Sequence, residues 1–380
     1  MRIAFYAPLK PTDDPVPSGD RRMGRMLLAA LRLAGHDVEF ASRLRSRDGA
    51  GDRARQERLR AEGAAIATAL VRSYRTRPPA LRPQLWFTYH LYYKAPDWIG
   101  PQVAQALGIP YVVAEASVAA KRAGGPWDLG HRASLAALAQ ARLVIGVNPA
   151  DAAGVRAHLA ADAILLDQPP FLDAAPFAAA AAKRDALRAE LAAPAGAPPG
   201  IPWLLVVAMM RTGDKLASYQ VLGAALPGLL DRPWRLLVAG DGPARAQVEA
   251  ALAACAPRVA WLGRREESEV AALCAACDLM LWPAVNEAYG MALLEAQAAG
   301  LPVVAGRSGG VPAIVRNGQT GRLVPVGDAA AFAAATRALL ADDAARRAAS
   351  AQALEVTAAE HDLAGASRRI DAALRRLVRD

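Results

Sequence analysis

The sequence predicts an α/β protein built from two doubly wound parallel halves. Three observations lead there. Twelve short apolar segments alternate with amphipathic helical stretches, the pattern of parallel strands covered by helices on both faces. The pattern breaks in a stretch carrying Pro194, Pro198, Pro199 and Pro202 and then restarts, as it does at a linker. The length, 380 residues, is about twice that of a typical domain.

The elements follow in chain order. MRIAFYAP is a strand that runs into a Pro-, Gly- and Asp-rich loop from Pro8 to Asp20; RRMGRMLLAALRLAG is an amphipathic helix and HDVEFAS a second strand. Further strands are expected at 85–90, 111–117, 142–147 and 163–168, separated by helical stretches such as WIGPQVAQALG and RASLAALAQA. After the linker, strands recur at 203–210, 235–242, 259–264, 279–284, 302–306 and 321–326. LAGASRRIDAALRRLV, 363–378, is an amphipathic helix with no strand after it. The expected division is 1–170 and 171–360, with the last helix, about 361–380, returning to the first half. Doubly wound sheets bind ligands at the carboxyl ends of their strands, so a cleft between the halves is the expected ligand site.

Composition narrows the function classes. With 54% hydrophobic and 21% charged residues, the chain is neither disordered nor fibrous. The net charge of +9 sits in the first half, where residues 1–170 carry 23 basic against 15 acidic side chains; residues 171–380 carry 22 against 21. Residues 43–77 alone hold ten Arg against four acids. This stretch admits three readings: a helix whose basic face rests on anionic lipid, a binder of an anionic acceptor, or a solvated surface. Nucleic acid is excluded as a partner, because no aromatic-interleaved basic motif is present.

Cys255, Cys274 and Cys277 are too few for a disulfide framework, and the N-terminus lacks the apolar core of a signal peptide. A cytoplasmic location is expected. Cys274 and Cys277 are spaced like half a zinc site, but AALCAACDL reads as a helix with core thiols, and no metal site is expected. The uncharged run from Leu191 to Met210 is broken by prolines and reads as a linker plus a buried strand, not a membrane span. No G-x-G-x-x-G follows the first strand, which argues against a nicotinamide or flavin enzyme.

The chemistry is concentrated in LWPAVNEAYGMALLEAQAAGLPVVAG, residues 281–306. A strand ends at Pro283, a loop carries Glu287, a helix starts near Gly290 and carries Glu295, and Gly300-Leu301-Pro302 stops it. Helical arithmetic separates the two carboxylates by about 12 Å along the axis and about 80° around it. That spacing suits a ligand with two hydroxylated ends joined by a diphosphate, lying over a helix start whose free N–H groups favour phosphate. Arg211 and Lys215 follow the first strand of the second half, and Gly240-Asp241-Gly242-Pro243 follows the second.

The run Pro283, Glu287, Tyr289-Gly290, Glu295-Ala296, Ala299-Gly300, Pro302-Val303-Val304-Ala305, continued by Gly309-Gly310-Val311-Pro312 and NGQTGRLVPVGD, resembles the signature of family-4 retaining glycosyltransferases of the GT-B fold. The resemblance covers the second half closely and the first half in topology. It implies two Rossmann-like domains facing each other across a cleft, and a nucleotide-diphosphate sugar as donor substrate with no cofactor. By position, it implies that Glu287 holds donor-sugar hydroxyls and Glu295 the ribose. Arg211 and Lys215 would clamp the diphosphate, making a metal ion unnecessary. Tyr289 and the backbone around Gly290 and Met291 would line the phosphates. Gly240 and Gly242 would let the backbone approach the nucleotide, or simply make a tight turn.

In the first half, the family places two adjacent glycines near the donor phosphates; this chain has Gly19-Asp20. Many relatives carry a histidine at the end of the strand YVVAEAS, where this chain has Glu115. A carboxylate there would bond a sugar hydroxyl or take the acceptor's proton. His90 is a second candidate, or a structural residue, and His131 is structural or acceptor-facing. The resemblance implies front-face transfer with retention to a glycan, lipid-linked or small-molecule acceptor. Bacterial cell-surface glycan assembly at the inner face of the membrane is the expected setting. Two alternatives stay open: a catalytically silent partner in a glycan-assembly complex, motivated by Glu115, and a nucleotide-sugar epimerase.

Overall fold

A computed structural model describes residues 1–13, 19–198 and 200–379. Part of the predicted Pro8–Asp20 loop, residues 14–18, and Pro199 of the linker lie outside the described residues. The chain divides into two compact units, one of Met1–Pro169 with Leu363–Asp380 and one of Pro170–Asp362.

Unit 1 holds β1 (Arg2–Tyr6), β2 (Asp37–Ser42), β3 (Leu85–Leu91), β4 (Tyr111–Ala116), β5 (Leu143–Gly146) and β6 (Ile164–Asp167). Its helices are α1 (Gly19–Leu33), α2 (Arg53–Thr76), α3 (Gly100–Leu107), α4 (Asp128–Gln140) and α5 (Ala152–Arg156). Unit 2 holds α6 (Ala175–Ala181), α7 (Arg184–Ala192), β7 (Trp203–Val207), α8 (Asp214–Ala225), β8 (Arg235–Ala239), α9 (Arg245–Ala251) and β9 (Val259–Gly263). It continues with α10 (Glu267–Ala276), β10 (Leu279–Trp282), α11 (Met291–Ala298), β11 (Val303–Gly306), β12 (Gly321–Val324), α12 (Ala329–Ala341) and α13 (Asp343–Glu360). The terminal α14 (Leu363–Arg379) belongs to unit 1. All twelve predicted strands form, at or within the expected segments.

Each sheet has six parallel strands, in the orders β2-β1-β3-β4-β5-β6 and β12-β11-β10-β7-β8-β9. Strand order reverses between β1 and β3 in unit 1 and between β7 and β10 in unit 2. At such a switch point the loops leaving two adjacent strands diverge to opposite faces and open a crevice. The loops after β1 and β3, and after β7 and β10, are therefore where each unit is built to receive a ligand.

The inner strands are apolar on both faces because helices cover both. Phe5 stacks on Phe87 with centroids 5.6 Å apart, and Trp86, Trp203 and Trp234 are buried. One buried acid is held among these apolar groups. Asp97 accepts from the Thr88 hydroxyl at 2.5 Å, the Tyr111 hydroxyl at 3.0 Å and the backbone N–H groups of Ile99 and Gly100. Burial raises its pKa, against the pull of those bonds.

The α14 helix docks through Ala366, Ile370 and Leu374, four residues apart on one face and all buried. Burying Ile370 and Leu374 contributes about 1.5–3 kcal/mol each. The Ser367 hydroxyl donates to the Ala30 carbonyl of α1 at 2.7 Å, and His36 Nε2 lies 3.0 Å from Asp371 Oδ1.

The Arg-rich stretch is helical only from Arg53. Residues 43–48 run without regular structure along the β1 loop, with Ser46 N–H donating to the Pro8 carbonyl and Asp48 N–H to the Lys94 carbonyl. Gly49, Gly51 and the N-cap Asp52, which accepts from Arg55 N–H at 3.1 Å, set the helix start at Arg53. The apolar side of α2, Ile66, Ala67, Leu70 and Val71, packs into the unit 1 core, leaving its arginines outward. Among the described residues no helix is long and apolar enough to cross a membrane.

Candidate functional site

In unit 2 the switch point assembles a compact polar group. Lys215, in the first turn of α8, donates to Glu287 Oε2 at 2.5 Å, and Trp282 Nε1, at the end of β10, donates to the same oxygen at 3.0 Å. The ammonium lies 5.2 Å from the Trp282 ring centroid. The ring is braced edge-on by Tyr219. Both charges are largely withdrawn from solvent, with side-chain exposures of 29% for Lys215 and 17% for Glu287. Their attraction is correspondingly less screened than on an open surface.

The loop that carries Glu287 is pinned on two sides. Asn286 Nδ2 donates to Asp214 Oδ2 at 3.0 Å and Val285 N–H to the Ser218 hydroxyl at 3.0 Å, both on α8. On the other side, Glu287 N–H donates to the Ser308 hydroxyl at 3.0 Å and Gly310 N–H to the Ala288 carbonyl at 2.8 Å. A Cβ on Gly309 would lie 2.1 Å from the Glu287 carbonyl oxygen, and one on Gly310 2.4 Å from that of Ala288. The paired glycines thus let backbone meet backbone behind the carboxylate. Ala284 and Asn286 have left-handed backbones, φ 55° and 49°, a strain of about 1–2 kcal/mol per residue that the surrounding bonds hold.

The remaining predicted residues fall around this group. Arg211 is exposed just after β7, and the structure places no side-chain partner against it among the described residues. Gly290 caps α11 in a left-handed conformation, φ 75°, so the N–H groups at Gly290 and Met291 open the first turn. Tyr289 and Met291 are buried beside it, and Glu295 is only 4% exposed. Glu287 sits in an irregular loop and α11 begins at Met291, so helical arithmetic does not hold between the two glutamates. The separation expected from eight helical steps is withdrawn for that reason. Gly240 and Gly242 are needed by the chain itself: a Cβ on either would lie 1.9 Å from the Ala208 carbonyl oxygen or 2.2 Å from that of Met210.

Unit 1 has its own polar group at the strand ends. Tyr89 pairs with Ala114 and Leu91 with Ala116, so His90 and Glu115 are cross-strand neighbours, and both have left-handed backbones, φ 66° and 59°. The double kink brings His90 Nδ1 to 3.3 Å from Glu115 Oε1 and 3.7 Å from Asp20 Oδ1. Lys10, after β1, is ion-paired with Asp20. Nearby, Asp151 accepts from Asn148 Nδ2 at 2.9 Å, and burial raises its carboxyl pKa. Gly19 is the exposed first residue of α1 with open space around it. His131 is buried within α4.

Sequence reasoning missed Trp282, Ser308 and Asn286 in unit 2, and Lys10 and Asp20 in unit 1. The adjoining Ser308-Gly309-Gly310 was a readable signal. Left-handed Ala284 and Asn286 were not, because nothing local demands that conformation.

Residues 202–342 match the family described as glycosyl transferases group 1. Most of unit 2 is thus similar to the group 1 glycosyltransferases. Within the matched segment lie Arg211, Lys215, Trp282, Glu287, Glu295 and Ser308. A D-inositol 3-phosphate glycosyltransferase of Corynebacterium glutamicum is 43% identical over 86 residues, 23% of this chain and 21% of the relative. The chain thus aligns with about a fifth of that relative's length. Sucrose-phosphate synthase of Thermosynechococcus elongatus superposes with a TM-score of 0.75 at 22% identity, covering 99% of this chain and 98% of the other. Anabaena HepE, solved with UDP, does so with a TM-score of 0.73 at 15% identity, covering 99% and 100%. These likenesses show the GT-B fold.

Proposed function

We propose that the protein is a retaining glycosyltransferase that moves a sugar from a nucleotide-diphosphate sugar to a hydroxyl of a small-molecule, glycan or lipid-linked acceptor. The observation that carries this is the Lys215–Glu287 pair, seated on Trp282 at the unit 2 switch point inside the group 1 glycosyltransferase segment. HepE, of like fold, was solved with UDP, which supports a nucleotide donor.

In this reading the Lys215 ammonium and the exposed Arg211 guanidinium balance the charge that develops on the departing diphosphate, a role otherwise given to a metal ion. The open first turn of α11 adds N–H donors. The Glu287 carboxylate has one oxygen engaged by Lys215 and Trp282, and it orients donor-sugar hydroxyls. The buried Glu295 serves the ribose. The acceptor hydroxyl attacks the anomeric carbon on the face the diphosphate leaves, the C–O bond to phosphate breaks, and a departing phosphate oxygen takes the proton. The protein positions and stabilises; it forms no covalent bond.

Unit 1 supplies the acceptor side, with Glu115 and His90 as its polar pair. The enzyme needs no cofactor and works in the cytoplasm, peripheral to the membrane where its acceptor is lipid-linked. Titration of UDP, GDP and ADP separates donor classes. Incubation of the matching nucleotide sugar with and without acceptor, with anomeric configuration read by NMR, tests the reaction. Retained configuration in an acceptor-dependent product supports the proposal, and conversion of the donor alone identifies an epimerase instead.

A further inference from the structure

In unit 1, three segments converge beyond the His90–Glu115 pair and present cations on an aromatic platform. Tyr93 and Lys94 form the tip of a tight turn closed by the Tyr92–Ala95 bridge, with Ala95 N–H donating to the Tyr92 carbonyl at 2.9 Å. Trp127 stands at the start of α4, its ring edge-on to Tyr93 at 5.9 Å. Lys94 lies 5.7 and 5.1 Å from the Tyr93 and Trp127 centroids, and Arg122 lies 5.1 and 5.0 Å from the same two. Two cations share one pair of rings.

Ring attraction holds each cation but does not cancel the repulsion between them. No carboxylate comes within 4 Å of either among the described residues, and Arg122 Nε is buried without a hydrogen-bond partner. The acids of these segments are engaged elsewhere: Asp48 accepts from Gln56 Nε2 at 2.9 Å and from Ala50 N–H at 3.0 Å, and Asp128 pairs with Arg132. Arg47 adds a third cation, exposed and near Tyr92, where its charge opposes the rise that burial gives the phenol pKa.

The platform is rigidly built. Trp127 Nε1 donates to the Asp48 carbonyl at 3.1 Å, and Gln56 Nε2 donates to the Pro126 carbonyl at 2.9 Å. Gly51 and Gly130 allow contacts that a Cβ would close, at 2.6 Å from Pro126 and 2.3 Å from the Tyr93 carbonyl oxygen. A buried polar network, with Asp48 and Gln56 2% and 3% exposed, therefore fixes a cluster of uncompensated positive charge. From it the rings of Tyr92 and His90 lead back to Glu115, at centroid spacings of 5.4 Å between Tyr93 and Tyr92 and 5.1 Å between Tyr92 and His90.

We infer that Lys94, Arg122 and Arg47 form an anion subsite for a phosphorylated small-molecule acceptor, whose hydroxylated body lies along the aromatic platform. A guanidinium fork and a point-charge ammonium suit the terminal oxygens of a phosphomonoester, and ring faces suit the apolar face of a sugar or cyclitol. This rests on the glycosyltransferase reading, deepens its acceptor class, and assigns part of the basic charge of the first half.

The test measures binding rather than turnover, so that its outcome is separable from the donor reading. Inorganic phosphate, glucose 6-phosphate and glucose are titrated calorimetrically into the full chain, with UDP in a separate experiment. Glucose 6-phosphate is expected to bind at least tenfold more tightly than glucose. Arg122→Gln and Lys94→Gln are each expected to weaken it at least tenfold, with the thermal midpoint and UDP affinity unchanged. Equal affinity for glucose and its phosphate, or indifference to both substitutions, overturns the subsite. So does flotation with phosphatidylglycerol vesicles without any phosphate binding, which identifies a membrane surface instead. Absent UDP binding with phosphate binding intact overturns the donor reading alone.

Discussion

His90 and Glu115 sit side by side on β3 and β4 with left-handed backbones, and the kinks bring Nδ1 to 3.3 Å from Oε1. Two adjacent strained residues at strand ends are unfavourable for folding alone, by about 1–2 kcal/mol each. Replacing Glu115 by glycine relieves its backbone strain and removes its carboxylate. Glu115→Gly is therefore expected to keep or raise the thermal midpoint while lowering transfer at least tenfold. A variant as active as the parent would show that the pair is structural.

Lys215→Ala removes the cation beside Glu287 and the charge proposed for the diphosphate. A loss on the order of 10²–10³ in transfer rate is expected, the scale of removing one preorganised electrostatic donor. Circular dichroism and the unfolding midpoint should change little, because the pair lies at a loop and helix start. Glu287→Gln keeps the shape of the site and should lose activity comparably. Steady-state rates with saturating donor check both.

Gly309→Ala tests the backbone behind the carboxylate. Its φ of +46° and the 2.1 Å approach of a Cβ to the Glu287 carbonyl oxygen require the loop to shift. A destabilisation of at least about 2 kcal/mol is expected, together with weaker UDP binding, since Glu287 moves with its loop. Chemical denaturation and calorimetry read the two effects independently.

Acidification should lower the stability of unit 1 by forcing a charge onto the buried His36, which faces Asp371 of α14. Burial and the Met1 α-amino charge push the His36 imidazole pKa below its ordinary 6.5, with Asp371 opposing. The unfolded chain therefore binds the proton more readily. This contribution is fully present above about pH 6.5 and is lost as pH falls through the lower folded value. The thermal midpoint is expected to drop as pH falls from 6.5 toward 5, with a shallower slope in His36→Gln. Equal slopes would assign the pH response to other groups.

Much of the fold was legible because strand and helix periodicities are local. Every strand segment emerged as an apolar run between turn signals, and the stop at Gly300-Leu301-Pro302 follows from the backbone chemistry of those residues. The basic stretch was legible as charge but not as shape. Gly49 and Gly51 keep 47–52 out of the helix, which starts only at Arg53 behind the N-cap Asp52.

By itself, the sequence determined two α/β halves, the order of their elements and the residue types available at the strand ends, including Glu287, Lys215 and Glu115. Tertiary structure alone decided which of these meet. Lys215 and Glu287 are 72 residues apart and become neighbours because β10 inserts beside β7 and reverses the strand order. Asp20, His90 and Glu115 converge because β3 lies between β1 and β4 and both kinks fall at one level. The shared ring pair of Lys94 and Arg122 arises from three segments locked by Asp48 and Gln56. Strand order and loop packing are set by the summed burial of a whole unit, so no local pattern in the chain encodes them.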